Sequence, residues 1–466
     1  MRLGPYMVIA AALTVASIPS LAQDTAKGTP VSLAQAVHSA LQQNPAFRTS
    51  EDDAEAARAR LKQVQSAWYP RFDFHQDFTR GNNPVYVFGT KLTQRQFTTT
   101  DFALNRLNTP TPFDNFQTRF DGRWQLFDSG QTLFHQRSAK KLVSIADFQT
   151  EQARQDLILE VVRAYYGIRV LEESKKAADG AVKTAEATAQ RMEAMHTAGT
   201  VVDSDLLSAK VFLAEMKDRQ IRAQNDLAMA EMQLARLMGL PVENQLDLAG
   251  MLSEPAISTK TLEEWTRTGL AERPALRAAQ LQEMAVDDER KAAKAEFGPT
   301  IALFGTTERD AMTLAGPSGT NWTAGARLDF NLFAGGATKA RLAEATANAN
   351  KAKHNVEWFR SGVALEVRKA FLDAEAAEQR AAAARDAADQ AKESLRIVQN
   401  RYEAGLTTIT ELLRAQTAQL DARTLYLNAL QDWQVAQAQL ERAAGLLTPE
   451  SQLIANASNL TQEAKP

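Results

Sequence analysis

The chain has no cysteine among its 466 residues, so it forms no disulfide and carries no lipidated N-terminal cysteine. Aromatic residues make up only 7% of it, and much of the 44% hydrophobic content is alanine, a composition suited to helix walls rather than to a thick core. An excess of one charge is missing too: 53 basic residues against 56 acidic ones leave a formal charge of -3, which argues against a nucleic-acid binder. Long apolar runs are also absent, apart from one at the start. Met1 to Ala22 reads as a secretory signal, with Arg2 as the positive charge, Val8 to Ala16 as the apolar run and Ser20-Leu21-Ala22 as the small-residue cleavage site. That run falls short of the roughly 20 residues a membrane-spanning helix needs. The expectation is an exported protein without a lipid anchor.

What is present is helix-forming sequence on an unusual scale. From the pair Gly335-Gly336 the chain runs for about seventy residues rich in Ala, Glu, Lys, Arg and Gln and free of Pro, breaks at Ala404-Gly405-Leu406, and resumes until Gly445. This spells a very long helix, a tight turn and a shorter antiparallel helix. Helices of that length without an enclosing domain need close neighbours, so a coiled coil is expected.

The pattern occurs twice. Shifted by 206 residues, Leu126-Phe127-Asp128-Ser129-Gly130 falls on Leu332-Phe333-Ala334-Gly335-Gly336, Ala164-Tyr165 on Ala370-Phe371, Ala198-Gly199 on Ala404-Gly405, and Gly239-Leu240 on Gly445-Leu446. Upstream the shift is 229, pairing Asn44-Pro45 with Arg273-Pro274 and Pro70 with Pro299, so the first copy holds 23 extra residues between Pro70 and Leu126. The boundaries are a signal over residues 1–22, a first repeat over 23–240, an inter-repeat linker over 241–260, a second repeat over 261–447 and a polar tail over 448–466. Val31 to Asn44 and Lys260 to Arg273 read as short amphipathic helices of an equatorial belt, and Pro45 and Pro274 each open a helix closed by Pro70 or Pro299.

After Pro70 and Pro299 the period changes from helical to two. In Phe116 to Phe127 the apolar residues Phe116, Phe120, Trp124 and Leu126 alternate with Gln117, Arg119, Asp121, Arg123 and Gln125. In the partner segment Trp322, Ala324, Ala326, Leu328, Phe330 and Leu332 alternate with Thr323, Arg327, Asp329 and Asn331. With weaker alternation at Phe72, Phe74 and Phe78 and at Ile301 and Leu303, this makes two hairpins of two strands each, tipped by Gly81 to Asn115 and Arg309 to Thr320. No further strands exist to cover the apolar faces. An outer-membrane barrel wall has this pattern, apolar to lipid and polar to the lumen, and tolerates no open edge. Four strands cannot close, and eight leave an interior filled by side chains, so a water-filled bore requires at least three chains and twelve strands.

Helix lengths fit a tube. Ser129 to Ala198 is 70 residues, about 105 Å at 1.5 Å per residue, and is matched by two shorter helices stacked end to end, Val202 to Met238 and Pro45 to Tyr69. Along the return helix Leu206, Leu213, Leu227 and Leu234 recur every seven residues with Gln220 in the gap, and Ala209, Met216, Ala223, Ala230 and Leu237 fill the second seam position.

Taken together these features resemble the TolC-type outer membrane efflux proteins over nearly the whole mature length. The resemblance rests on Leu-x-x-Ala-Val-x-x-Ala-Leu-x-x-Asn-Pro from Leu33 to Pro45, paired hairpins ending in Leu-Phe-x-x-Gly, and Arg-Tyr-x-Ala-Gly from Arg401 to Gly405 followed by Glu411, Leu412 and Ala415. It implies an α+β membrane protein: a homotrimer with a shared twelve-strand transmembrane β-barrel, a periplasmic helical tunnel and an equatorial belt. Its implied partners are a periplasmic adaptor, an inner-membrane transporter and outer membrane lipid, with no nucleic acid and no cofactor. The implied role is the exit duct of a drug pump or a type I secretion system in a Gram-negative bacterium. By the same resemblance Gly199 and Gly405 are the turns of the periplasmic tips, Tyr402 latches onto the neighbouring coiled coil where Ser204 and Asp205 stand at the partner positions, and Glu411 belongs to an acidic entrance ring. Three family positions depart: Arg414 stands at the second acidic position, Thr407 at that of a gating Arg, and Met195 at that of an Arg in the first tip. The expectation is that Glu411 and Arg414 pair rather than form an anionic ring. Phe116, Phe120, Trp124, Trp322, Leu328 and Phe330 are expected to face lipid.

Nothing in the sequence speaks for catalysis. His38, His75, His135, His196 and His354 are scattered without metal-ligand spacing, and Gly335 to Lys339 has adjacent glycines rather than a phosphate loop. The alternative to a conduit is a non-conducting periplasmic coiled-coil scaffold whose strands merely cap the tube.

Overall fold

The computed structural model describes residues 30–244, 246–250, 252–255 and 259–459, with side chains to residue 455. The signal expected over residues 1–22 and the last seven residues of the chain lie outside them. The first repeat runs α1 (Leu33–Gln43), α2 (Pro45–Gln65), β1 (Arg71–Gly81), α3 (Pro84–Thr93), α4 (Leu104–Asn108), β2 (Phe113–Phe127), α5 (Gln131–Thr197) and α6 (Asp203–Leu237). The second runs α7 (Leu262–Glu272), α8 (Pro274–Ala295), β3 (Thr300–Ala311), β4 (Ser318–Asp329), α9 (Ala337–Glu403) and α10 (Ile409–Ala443), and α11 (Gln452–Asn459) follows.

Local chemistry sets the helix boundaries. Ser32 caps α1 through a reciprocal box with Gln35, and Thr261 caps α7 in the same way with Glu264. Pro45 and Pro274 occupy the first helical position of α2 and α8, where a missing N–H is harmless. Both long helices, α5 and α9, contain 67 residues and end one residue before a turn whose glycine, Gly199 or Gly405, takes φ 73°. Among the described residues no helix is long and apolar enough to cross a membrane.

The duplication is carried into packing. Gly239 ends α6 at φ 73°, and a Cβ there would lie 2.5 Å from the Gln43 carbonyl oxygen; Gly445 ends α10 at φ 74°, with the Glu272 carbonyl at 2.9 Å. Each return helix is thus pressed end-on against the short helix of its own repeat. The Asn44 side chain donates to the Leu237 carbonyl at 2.9 Å, and the matching Arg273 donates to that of Arg442. Arg442 also donates to Glu366 of α9 at 2.8 Å and to Asp156 of α5 at 2.5 Å, so one side chain joins the two repeats.

These contacts lie in the belt, where α1, α7, α11 and the linker gather around the long helices. Val31 bridges Leu248, and the Tyr165 hydroxyl donates to the carbonyls of Val31 and Ala249. The core here is built from Leu33, Val37, Ile158, Val162, Ile168 and Leu234. Leu447, the last residue of the second repeat, is fully buried in the same cluster; so is Ile454 of the tail expected to be polar, because α11 lays an apolar residue against α1.

The two copies differ in how fully they are covered. The long helix α5 is flanked by α2 and α6 of its own repeat and by α8 and α10 of the next, whereas α9 touches α7, α8 and α10 along one side. Leu159 and Tyr166 of α5 are 8% and 4% exposed; their counterparts Leu365 and Leu372 on α9 are 69% and 53% exposed. With Trp358, these two form a bare stripe of large apolar residues at seven-residue spacing.

Substitutions at Gly199 and Gly239 separate strain from crowding, because both hold φ 73° but nothing lies within 4 Å of a Cβ at Gly199. Gly199→Ala is expected to cost about 1 kcal/mol. Gly239→Ala is expected to cost about 1–3 kcal/mol more, because the Gln43 backbone must move. Thermal melting of the two variants checks this, and equal losses would show that the end-on contact does not limit stability.

Candidate functional site

The sheet has the order β1-β2-β3-β4, antiparallel throughout, with β1 and β4 at its two edges. Its register puts Phe74 opposite Phe120, Phe78 opposite Phe116, Trp124 opposite Leu303, Thr307 opposite Trp322 and Ile301 opposite Leu328. Since opposed residues share a face, Phe116, Phe120, Trp124, Trp322 and Leu328 all stand on one side. The Phe74–Phe120 and Phe78–Phe116 rings are 5.1 and 4.6 Å apart, and the Phe72 ring lies 3.2 Å from where a Cβ of Gly122 would be. Among the described residues most of this side is uncovered: Phe72 is 79% exposed and Trp322 77%. Phe330 is a correction. The strand stops at Asp329, so Phe330 and Leu332 lie in the connection to α9, where Gly335 and Gly336 turn the chain at positive φ.

The opposite face is polar and interconnected. Gln117 donates to Glu308 and Asp310 at 3.2 Å, Asn115 donates to Asp310 at 2.7 Å, and Thr306 donates to Asp121 at 2.7 Å. Arg119 and His75 flank Asp121 at 3.0 and 3.4 Å, and Arg327 stacks on Phe304 at 5.6 Å.

The connection between β1 and β2 is not the irregular tip that its Asn, Thr and Pro content suggests. Asn83 caps α3 by accepting from the Val85 and Tyr86 amides, and Pro84 fills its first position. Phe88, Phe97 and Phe102 stack edge to face at 4.8 and 5.1 Å. Lys91, the Thr98 amide and the Thr98 hydroxyl hold the buried Asp101 carboxyl down to about 2. The other connection is shorter than expected, because β3 and β4 extend to Ala311 and Ser318.

At the far end of the long helices the two helical hairpins pack tip to tip through Met192, Ala209, Phe212, Met216, Ile409 and Leu412. Tyr402 lies on the first hairpin of its own chain and contacts the Met192 sulfur at 3.5 Å. Burial pushes the Tyr402 phenol up, with Arg191 opposing and Asp205 adding to the shift. Among the described residues no hydrogen bond joins Tyr402 to Asp205 or to the exposed Ser204. Glu411 and Arg414 pair one turn apart at 3.2 Å with both side chains exposed, and the Thr408 hydroxyl caps α10 by accepting from the Glu411 amide. Met192, Phe212 and the His196–Asp203 pair at the first turn were not singled out by sequence reasoning. Gln220, the polar gap in the leucine seam, donates to Asp179 across the hairpin at 2.7 Å.

Each histidine has a separate partner: His38 with Gln42, His75 with Asp121, His135 with Glu289, His196 with Asp203 and His354 with Glu357. Among the described residues no group of three or more His, Cys, Asp or Glu is arranged to hold a metal.

Known proteins share this arrangement. The family model described as outer membrane efflux protein matches residues 36–240 and 265–446, one segment per repeat. The chain is 28% identical over 305 residues to Protein CyaE of Bordetella pertussis, a match covering 64% of each chain. It is 24% identical over 437 residues to the alkaline protease secretion protein AprF of Pseudomonas aeruginosa, covering 92% of this chain and 87% of that protein. In three dimensions it is similar to the CmeC outer membrane channel of Campylobacter jejuni, with a TM-score of 0.74 and 17% identity over 99% of this chain and 98% of the other. The chain belongs to the outer membrane efflux protein family, whose members are channels of the outer membrane and not enzymes.

Proposed function

We propose that three copies of this chain form a passive exit duct across the outer membrane and periplasm. The duct docks through a periplasmic adaptor to an inner-membrane pump and serves efflux or type I secretion. The observation that carries this reading is the sheet, whose apolar face is largely bare and whose strands β1 and β4 have no partner on their outer edges among the described residues. In hydrocarbon an unpaired edge costs several kcal/mol per backbone group, so β4 of each copy pairs with β1 of the next. The apolar face, with Phe116, Phe120, Trp124, Trp322 and Leu328, then meets lipid, and the polar face lines the bore. The name of AprF supports secretion as one form of the role.

The repeats supply the geometry of the joint. Within the chain α8 and α10 of the second repeat pack on α5 of the first. The equivalent contact between copies sets α2 and α6 of one chain on the bare stripe of α9 in its neighbour. The Lys141–Asp288 pair joins α5 to α8, and the repeat shifts carry it onto Ala347 and Ala59, both exposed in the single chain. Since the natural chain has no cysteine, Ala59→Cys with Ala347→Cys is expected to give covalent trimers with a short bifunctional maleimide, and neither substitution alone is. Absence of cross-linking, in a chain that fractionates as a water-soluble monomer, would instead favour the periplasmic scaffold.

At the tips, the turns at Gly199 and Gly405 and the residues Ser204, Asp205 and Tyr402 form the periplasmic entrance, with Glu411 and Arg414 around its opening. Because Glu411 and Arg414 neutralise each other, the entrance is close to charge-balanced. Glu411→Gln is expected to shift ion selectivity toward anions in bilayer recordings. Arg414→Gln is expected to shift it toward cations and to introduce block by multivalent cations. Unchanged selectivity in both variants would remove these residues from the pore.

A further inference from the structure

Residues 82–112 join β1 to β2 and contain the extra length of the first repeat. They fold back across the polar face of the sheet, seated directly on β1, β2 and β4 and reaching β3 through Asn115 of β2. At β1 the Tyr86 ring lies 3.4 Å from where a Cβ of Gly81 would be, and its hydroxyl donates to the Thr79 carbonyl at 2.9 Å. Over β2 and β3 the buried Gln94 donates to the Asp114 carbonyl and to Asn115 Oδ1, both at 2.9 Å, and Asn115 donates onward to the buried Asp310. At β4, Asn321 donates to the Thr93 carbonyl at 3.2 Å and Arg95 donates to the Thr320 carbonyl at 2.8 Å. The Thr93 oxygen lies 1.8 Å from the place a Cβ of Gly319 would take, so only glycine lets the segment settle there. Arg95 holds this close approach at φ 57°, in the left-handed region.

The strand register puts Gly81, Asn115, Asp310, Gly319 and Asn321 on the polar face. We propose that residues 82–112 are a lid seated inside the outer mouth of the channel, where they set the largest solute able to pass. This rests on the trimeric conduit, because the polar face lines a bore only when the barrel is closed. Twelve strands about 4.8 Å apart and tilted about 40° enclose roughly 24 Å between backbones. A helix with its side chains is about 10–12 Å across. Three lids, one from each copy, therefore fill much of the mouth.

The lid's seat is made of hydrogen bonds from Gln94, Asn321, Tyr86 and Arg95 to backbone and side-chain oxygens, which water in an aqueous bore can replace at modest net cost. Its own core of stacked Phe rings and the Lys91–Asp101 pair moves with it. A lid built in this way swings as a unit rather than unravelling.

Cysteine labelling from outside the cell tests this independently of the periplasmic entrance. Thr323 lies exposed on the polar face, two residues past Asn321 along β4. In intact cells a small charged thiol reagent is expected to modify Thr323→Cys with or without the lid. A bulky polyethylene-glycol maleimide is expected to modify it only when residues 84–111 are replaced by a short Gly-Ser turn, or when Gly319→Val unseats the lid. The shortened chain keeps every strand residue, so it carries the test if Gly319→Val fails to assemble. Equal reaction of the bulky reagent with the lid intact overturns the lid. Failure of the small reagent to reach position 323 in an assembled, lid-shortened trimer overturns the conduit itself.

Discussion

Backbone hydrogen bonding at a sheet edge is the constraint on which the rest of this molecule depends. Water satisfies an open edge in solution, but hydrocarbon does not, and among the described residues the outer edges of β1 and β4 have no strand beside them. The same unmet demand continues along the helices, where α9 leaves Trp358, Leu365 and Leu372 bare on the flank that its counterpart α5 has covered. Both deficits fall at the same joint, the one where the second repeat has no first repeat beside it. A heterologous joint of this kind either closes into a ring or grows without limit. The apolar face of the sheet fixes which: a wall with one side in lipid and one in water must close.

Duplication makes closure economical, because each chain already contains a working copy of the joint it must make with its neighbour. The end-on contacts at Gly239 and Gly445 and the carbonyl contacts of Asn44 and Arg273 are two versions of one design. The versions diverge where the environment does. Asn44 is a neutral cap, whereas Arg273 brings a guanidinium into the belt, where burial lowers its pKa and Glu366 opposes that shift through a two-pronged contact at 3.0 and 3.2 Å. Only Arg273 is buried in this set; the Glu366 and Asp156 side chains are 40% accessible, so solvent screens the pairs and the set adds little net stability. Its value is registry: Arg442, Glu366, Asp156 and Arg273 come from α10, α9, α5 and the start of α8, and they meet in one relative position of these helices.

Most of the architecture was legible because its signals are local. Pro45 and Pro274 start helices through φ and the missing N–H, Gly199, Gly405, Gly239 and Gly445 end them through positive φ, and the period-two alternation of Phe116 to Trp124 assigns faces without reference to the rest of the chain. The lid escaped notice although it carries the same signature as α2, an Asn cap followed by Pro, at Asn83-Pro84. Its surrounding Asn, Thr and Pro content outweighed that signal. Phe330 kept the alternation but lost the strand, since pairing ends where β3 begins at Thr300. Contacts such as Tyr402 to Met192 or Gln220 to Asp179 could not be read at all, because they depend on how two helices face each other across a turn and across repeats.

The distribution of these contacts bears on where the duct opens. In the belt the long helices are held by fully buried residues such as Leu33, Ile158, Val162 and Ile454, and by the buried side chain of Arg273. Nearer the tips the ion pairs are solvent-exposed: Glu411–Arg414, Lys210–Glu193 and Arg219–Asp421 each have both side chains at least 42% accessible. Exposed pairs of this kind are worth about 0–1 kcal/mol each, and the Tyr402 hydroxyl meets a thioether, a weak acceptor. Separating the tips gives up these weak contacts and exposes the apolar cluster of Met192, Met216 and Ile409, whereas moving the helices at the belt exposes a core and also strands the buried guanidinium of Arg273. Motion concentrates where its cost is least. On this gradient the tip hairpins, rather than the belt, are the part of the long helices that separates at least cost.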